Sequence, residues 1–166
     1  MQRHTQTHIS YARGYGELGL FKDALKELDK IDPAERDHKP ARVCRLVICT
    51  SMEDWSAVAE AARGLAHEFP GEPEWWIQWA YGARRAESLG MARRILLDAL
   101  ERFPEEPCIQ YNLGCYDCID GNLHDAMGRV RSAIELDRSY LQLARRDTDL
   151  NDIQVWLENE YGLGEG

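Results

Sequence analysis

The chain reads as an all-α protein that repeats a pair of helices. Three observations predict this. Large apolar residues recur every 34 positions along the chain. Within each copy, the apolar positions follow steps of three, four and three, which puts them on one face of a helix. Prolines and glycines fall where helices must stop or turn.

Stepping by 34 from Phe21 gives Phe21, Trp55, Leu89 and Leu123. The next rows are Ala24, Val58, Ala92, Ala126, then Leu28, Ala62, Leu96, Val130, then Ile31, Leu65, Ala99, Ala133. No gap is needed to keep these four copies in register. The helix before each also lines up, with rows Tyr11, Arg45, Trp79, Leu113 and Ala12, Leu46, Ala80, Gly114. Arg45 breaks the first of these, so the apolar face of its helix is read instead as Val43, Leu46, Val47 and Thr50. A search for such repeats comes first, because a missed period misassigns the whole fold.

In order, the spacing predicts helices at 5–17, 20–31, 40–50, 53–69, 73–87, 88–103, 107–119 and 122–136. Pro33, Pro70 and Pro104 close apolar runs, where the missing N–H and fixed φ end a helix. Pro40 and Pro73 open helices, where the missing N–H costs nothing. Gly19 and Gly121 mark turns between paired helices, and Ser51 to Asp54 reads as a variant capping box ahead of Trp55. Gly14 and Gly16 each cost the first helix about 1 kcal/mol against alanine. Beyond Leu136, Ser139 to Ala144 reads as a short helix. Leu150, Ile153, Trp156 and Leu157 then form a stripe on one more helix, which covers the apolar face that a last repeat would expose. The expected organisation is one domain over 1–166, with repeats at 5–36, 39–70, 73–104 and 107–138 and capping helices at 139–161.

The net charge of −9 sets the protein against phosphate backbones and anionic membranes, so neither nucleic acid nor a membrane is expected as a partner. No apolar run approaches the ~20 residues needed to span a bilayer. The N-terminus is polar and lacks the apolar segment of a signal peptide. The five cysteines show no disulfide-framework spacing, so a reducing, cytoplasmic setting is expected.

Trp76, Trp79, Ala80, Leu89, Ala92, Leu96, Ala99 and Pro104 resemble the tetratricopeptide repeat. So do Leu113, Gly114, Gly121, Leu123, Ala126 and the segment from Ala133 to Asp137. The resemblance runs over about 5–138 and is closest in the third and fourth repeats. It implies a right-handed superhelix of about four helix pairs, an α-α solenoid plus a C-terminal capping helix. It also implies a concave groove, lined by the first helix of each pair, that holds a peptide or helix of a partner. An adaptor or scaffold role follows, without catalysis; fold alone does not fix function. The matching groove residues are Arg13, with Gln6, Ile9 and Glu17, then Val43 and Val47, then Ile77, Tyr81 and Arg84, with Glu74 and Arg85. The fourth repeat adds Tyr111, Asn112 and Cys115, with Cys108 and Cys118. The family's carboxylate clamp of Lys and Asn is absent, so an apolar or mixed peptide fits better. The plainer reading of the arginines is a solvated face. A dedicated chaperone resembling those of type III secretion is the alternative, although such chaperones carry a helical arm before their repeats. Self-association through the groove is a further possibility.

Cys115-x-x-Cys118 is the one pairing that hints at metal or redox chemistry. No second pair follows it. It also sits toward the C-terminal end of its helix, where the dipole raises a thiol pKa. Cysteine as a small apolar filler, at Cys44 and Cys49 as well, is the plainer reading. His4 and His8 are four residues apart on a predicted helix, but no third ligand is evident. No catalytic residue, cofactor or metal is therefore assigned.

Overall fold

The computed structural model describes residues 2–162, and it is helical throughout. Among these residues ten α-helices run in chain order: α1 (Arg3–Glu17), α2 (Phe21–Asp29), α3 (Lys39–Ser51), α4 (Trp55–Glu68), α5 (Pro73–Ala86), α6 (Leu89–Arg102), α7 (Pro107–Ile119), α8 (Leu123–Leu136), α9 (Ser139–Ala144) and α10 (Gln154–Tyr161). Two 3-10 segments, Pro33–Glu35 and Thr148–Ile153, join them. No strand occurs among the described residues. The first eight helices fall within about two residues of the predicted spans, because the same apolar rows that define them are what they bury.

Those rows form the core. Ala24, Val58, Ala92 and Ala126 are fully buried, as are Ala62, Leu65, Ala99, Val130 and Ala133, with Leu28, Ile31 and Leu96 close behind. Burying a side chain of Leu or Val size contributes roughly 1.5–3 kcal/mol, so these positions supply much of the drive to pair helices. The sequence reads 1–166 as one array; the helices gather into two compact units, 1–88 and 89–166, with the division falling inside the third helix pair.

In the first unit, Ile9 and Ala12 of α1 meet Ala24 and Leu28 of α2, Ile31, and Ala41, Cys44 and Ile48 of α3. This corrects the face assigned to α3 in part: Leu46 is buried as expected, but Val47 is not. Val47 is 58% exposed, whereas Cys44, Ile48 and Cys49 are buried, because the helix is rotated so that its small thiols meet α1 and α4. Ser51 is also reassigned. Its hydroxyl donates to the Val47 carbonyl at the end of α3, and Asp54 is the N-cap of α4, its Oδ1 accepting the Ala57 N–H at 3.2 Å. The turn between α3 and α4 holds Glu53 at φ 56°. Gly19 and Gly121 take the corresponding left-handed positions at 72° and 80°, where glycine meets no Cβ penalty. Glu35 anchors the start of α1. It accepts the Gln2 N–H and the hydroxyl of buried Thr5, and these bonds hold its carboxyl below the usual range.

Trp75, which lies off the repeat pattern, is buried. Its indole N–H donates to Glu72 Oε2 at 2.7 Å, and the Lys39 ammonium of α3 sits 5.3 Å from its ring centre. It therefore packs against the preceding helix pair.

In the second unit, α6, α7 and α8 pack in sequence. The C-terminal segment then closes over α7 and α8. The single helix expected around the Leu150 stripe is broken into a 3-10 segment and α10, yet Leu150, Ile153 and Leu157 are all buried. Asp147 starts the 3-10 segment by accepting the Asp149 N–H at 3.0 Å, a short-range turn that competes with the α-helix.

Candidate protein-binding groove

The expected groove residues separate into three groups. Arg13, Val43 and Val47 come together in the first unit. Along with Gly16, Glu17, Cys44, Ile48 and Ser51 they line a pocket of about 360 Å³ between α1 and α3. Two side chains a helical turn apart on α3, Val43 and Val47, supply its apolar wall. Arg13 and Glu17, a turn apart on α1, supply opposite charges at its edge. Arg13 is exposed, and it lies beside the Cys44 thiol. Ile9 does not belong to this surface: it is 5% exposed and part of the core.

The second group lies on α5. Ile77 and Arg84 are half-buried, and Tyr81 is 39% exposed. The Tyr81 ring meets Trp55, the first residue of α4, edge-on with centroids 5.5 Å apart. The Arg85 guanidinium lies 3.6 Å from the Tyr81 ring centre and 4.9 Å from that of Trp55. Such stacking holds an arginine over an aromatic face while leaving its edge donors free to bond elsewhere.

The third group, on α7, is covered by the chain itself. Tyr111 and Cys115 are buried at 4% and 3% exposure. The Tyr111 hydroxyl donates to Asp147 Oδ2 at 2.7 Å, and the Cys115 thiol faces the same oxygen at 3.7 Å. Tyr140 stacks on Tyr111 with ring centres 5.1 Å apart. Assigning Tyr111 and Cys115 to a partner is therefore corrected: the segment from Ser139 to Ile153 takes that face. Asn112 is half-buried and turns back on its own helix, its Nδ2 donating to the Cys108 carbonyl at 2.8 Å. Changing Tyr111 to Phe is expected to cost about 1.5 kcal/mol, the low end for a hydrogen bond to a charged group, because Asp147 is only half-buried. Urea unfolding followed by circular dichroism measures it, and a midpoint equal to that of the native chain would mean the bond contributes nothing.

All five cysteines are unpaired. Burial pushes the Cys115 and Cys118 thiols up, and the Asp147 carboxylate adds to the rise at Cys115. Both shifts favour the protonated thiol, the less nucleophilic form. Among the described residues, no group of three or more His, Cys, Asp or Glu is arranged to hold a metal ion. No described helix is long and apolar enough to cross a membrane.

One feature of the second unit escaped the sequence reading. Asp117 of α7 is fully buried. Its Oδ1 accepts from Arg93 Nε and Nη2 of α6 at 3.0 and 2.6 Å, and its Oδ2 accepts from Arg129 Nε of α8 at 2.8 Å. The signal was present in the rows. Tyr15, Cys49, Ala83, Asp117 and Leu25, Ala59, Arg93, Met127 are two mostly apolar rows broken by opposite charges in adjacent helices.

No protein-family profile matches the chain, and no curated protein matches it. Among solved structures it is similar to MamA 41-end from Desulfovibrio magneticus RS-1, with a TM-score of 0.69 and 16% identity over 81% of this chain and 76% of that one. It is also similar to a MamA RS-1 ArsTM double mutant, at TM-score 0.70 and 15% identity over 83% of this chain and 78% of that one. Identity this low establishes shared architecture alone: the chain has an all-α, tetratricopeptide-like fold.

Proposed function

We propose that this protein is a binding module that holds a peptide or helix of a partner protein, and that it works as an adaptor without catalysis in a reducing compartment. The observation that carries this is the pocket between α1 and α3. Val43 and Val47 offer an apolar wall, and Val47 is 58% exposed. Single exposed apolar residues are ordinary, but here Val43, Val47 and Ile48 line one concave pocket together, the arrangement that takes an apolar side chain. Arg13 and Glu17 at the edge fit a mixed peptide, in which an aliphatic side chain enters the pocket and a carboxylate meets Arg13. The chain's overall negative charge weighs little against that contact, since fields beyond roughly 8–10 Å are screened at physiological salt. The unpaired cysteines support the reducing setting.

A phage-displayed random peptide library, panned on the full chain, tests this reading. Enriched peptides are expected to carry an aliphatic residue with an acidic one nearby. Val47→Asp places a charge in the apolar wall and is expected to weaken the selected peptides at least about tenfold. Arg13→Glu is expected to weaken the acidic ones selectively. No enrichment, or affinities that ignore both changes, would sink the assignment.

A further inference from the structure

We propose that His4 and His8, with Glu27 behind His8, form an open two-nitrogen site for a divalent transition-metal ion of the zinc and nickel class. The four-residue spacing places both imidazoles on one face of α1. Their Nε2 atoms converge to 3.3 Å, with the rings at 73° to one another and centroids 4.3 Å apart. Two imidazole nitrogens bound tetrahedrally to zinc, each at 2.0–2.1 Å, stand about 3.3–3.4 Å apart. The pair already holds that separation.

Glu27 of α2 supplies what the spacing alone does not. Its Oε2 lies 2.9 Å from His8 Nδ1, and both side chains are largely buried, at 11% and 12% exposure. At that distance the Glu27 carboxylate accepts the His8 Nδ1–H. That fixes the proton on Nδ1 and leaves the His8 Nε2 lone pair directed at His4. This carboxylate–imidazole arrangement is the one that metal-binding histidines use to set tautomer and basicity. Lys30 pairs with the other Glu27 oxygen at 2.6 Å, which meets its charge. In the metal-free contact the exposed His4 donates its Nε2–H to the His8 Nε2 lone pair; a bound ion takes the place of this proton, with His4 in its Nδ1–H tautomer. The contact between the two rings is exposed to solvent, so water takes the remaining coordination positions. Imidazole suits zinc, copper and nickel, whereas magnesium and calcium prefer oxygen.

Nickel chloride titrated into the chelator-stripped full chain, followed by calorimetry and by paramagnetic broadening of amide and imidazole NMR signals, tests the site. One ion per chain is expected, with broadening centred on His4 and His8. His4→Ala changes only an exposed ring and is expected to weaken binding at least tenfold, as is His8→Ala. Glu27→Gln removes the carboxylate without touching a ligand and is expected to weaken binding about 10–100-fold, with circular dichroism confirming that the variant remains folded. Absence of saturable binding would overturn the site. So would undiminished binding in the His4→Ala/His8→Ala double variant, and binding indifferent to Glu27→Gln would remove the orienting role on which it rests. Peptide affinity at the α1–α3 pocket is read separately, so neither result decides the other.

Discussion

Changing Asp117 to Ala is expected to lower the unfolding free energy by about 3 kcal/mol, read from urea titration of the full chain. The carboxylate is fully buried and takes three charge-assisted bonds, two from Arg93 and one from Arg129. Losing it leaves two guanidinium groups facing each other with no counter-charge. Their side chains retain 30% and 22% exposure, so water relieves part of the cost, and the lower end of the range for a broken buried pair applies. The position adds a local penalty, because Asp117 lies near the C-terminal end of α7, where the helix dipole disfavours an anion. The two arginines offset that. The triad thus joins α6, α7 and α8 by charge where the apolar rows alone would allow looser packing. A second variant separates the charge from the shape. Replacing Arg93 and Arg129 with Met together with Asp117→Leu is expected to recover most of the loss, as apolar substitutes for a buried triad often do. If Asp117→Ala unfolds at the same urea concentration as the native chain, the triad contributes nothing to stability.

Gly82→Ala is expected to cost about 2 kcal/mol in the first unit. A Cβ at this position would stand 2.7 Å from the Ala59 backbone nitrogen, 3.0 Å from its Cα and 3.1 Å from Val58 Cγ1. Backbone does not move aside as a side chain tip does, so α4 and α5 must separate along a closely packed seam. Overpacking of this kind costs about 1–3 kcal/mol. The gain in helix propensity of about 1 kcal/mol from removing glycine offsets only part of it. Gly128→Ala is the matched control, because it lies inside α8 with nothing within 4 Å of the added carbon. It is expected to stabilise by roughly 0.5–1 kcal/mol. Thermal and urea unfolding of the pair should move in opposite directions. A Gly82→Ala chain as stable as the native one would mean that the helices tolerate the added carbon without separating.

The eight repeat helices and their buried rows were legible in the sequence because both have a short-range cause. Helix periodicity fixes which side chains share a face, and proline and glycine fix where a helix ends. The 34-residue recurrence makes each copy a check on the others. Ala24, Val58, Ala92 and Ala126 are fully buried together because equivalent positions meet equivalent neighbours. Where the copies differ, that logic weakens. Arg45 interrupts its row, and the rotation of α3 that buries Cys44 and Cys49 while exposing Val47 depends on the residues it meets on α1 and α4.

The sequence by itself determined the fold class, the helix spans and the existence of a C-terminal cap, since those follow from local pattern and the need to cover apolar surface. Only the tertiary structure decided which of the groove residues are open. Arg13, Val43 and Val47 border a pocket, whereas Tyr111 and Cys115 lie beneath Asp147. That face is closed by a segment more than thirty positions away in the chain. The Asp117 triad and the Glu27 contact to His8 have the same origin, being bonds between helices. Periodicity orders the side chains within a helix, but which helix arrives opposite, and in what rotation, is set by packing.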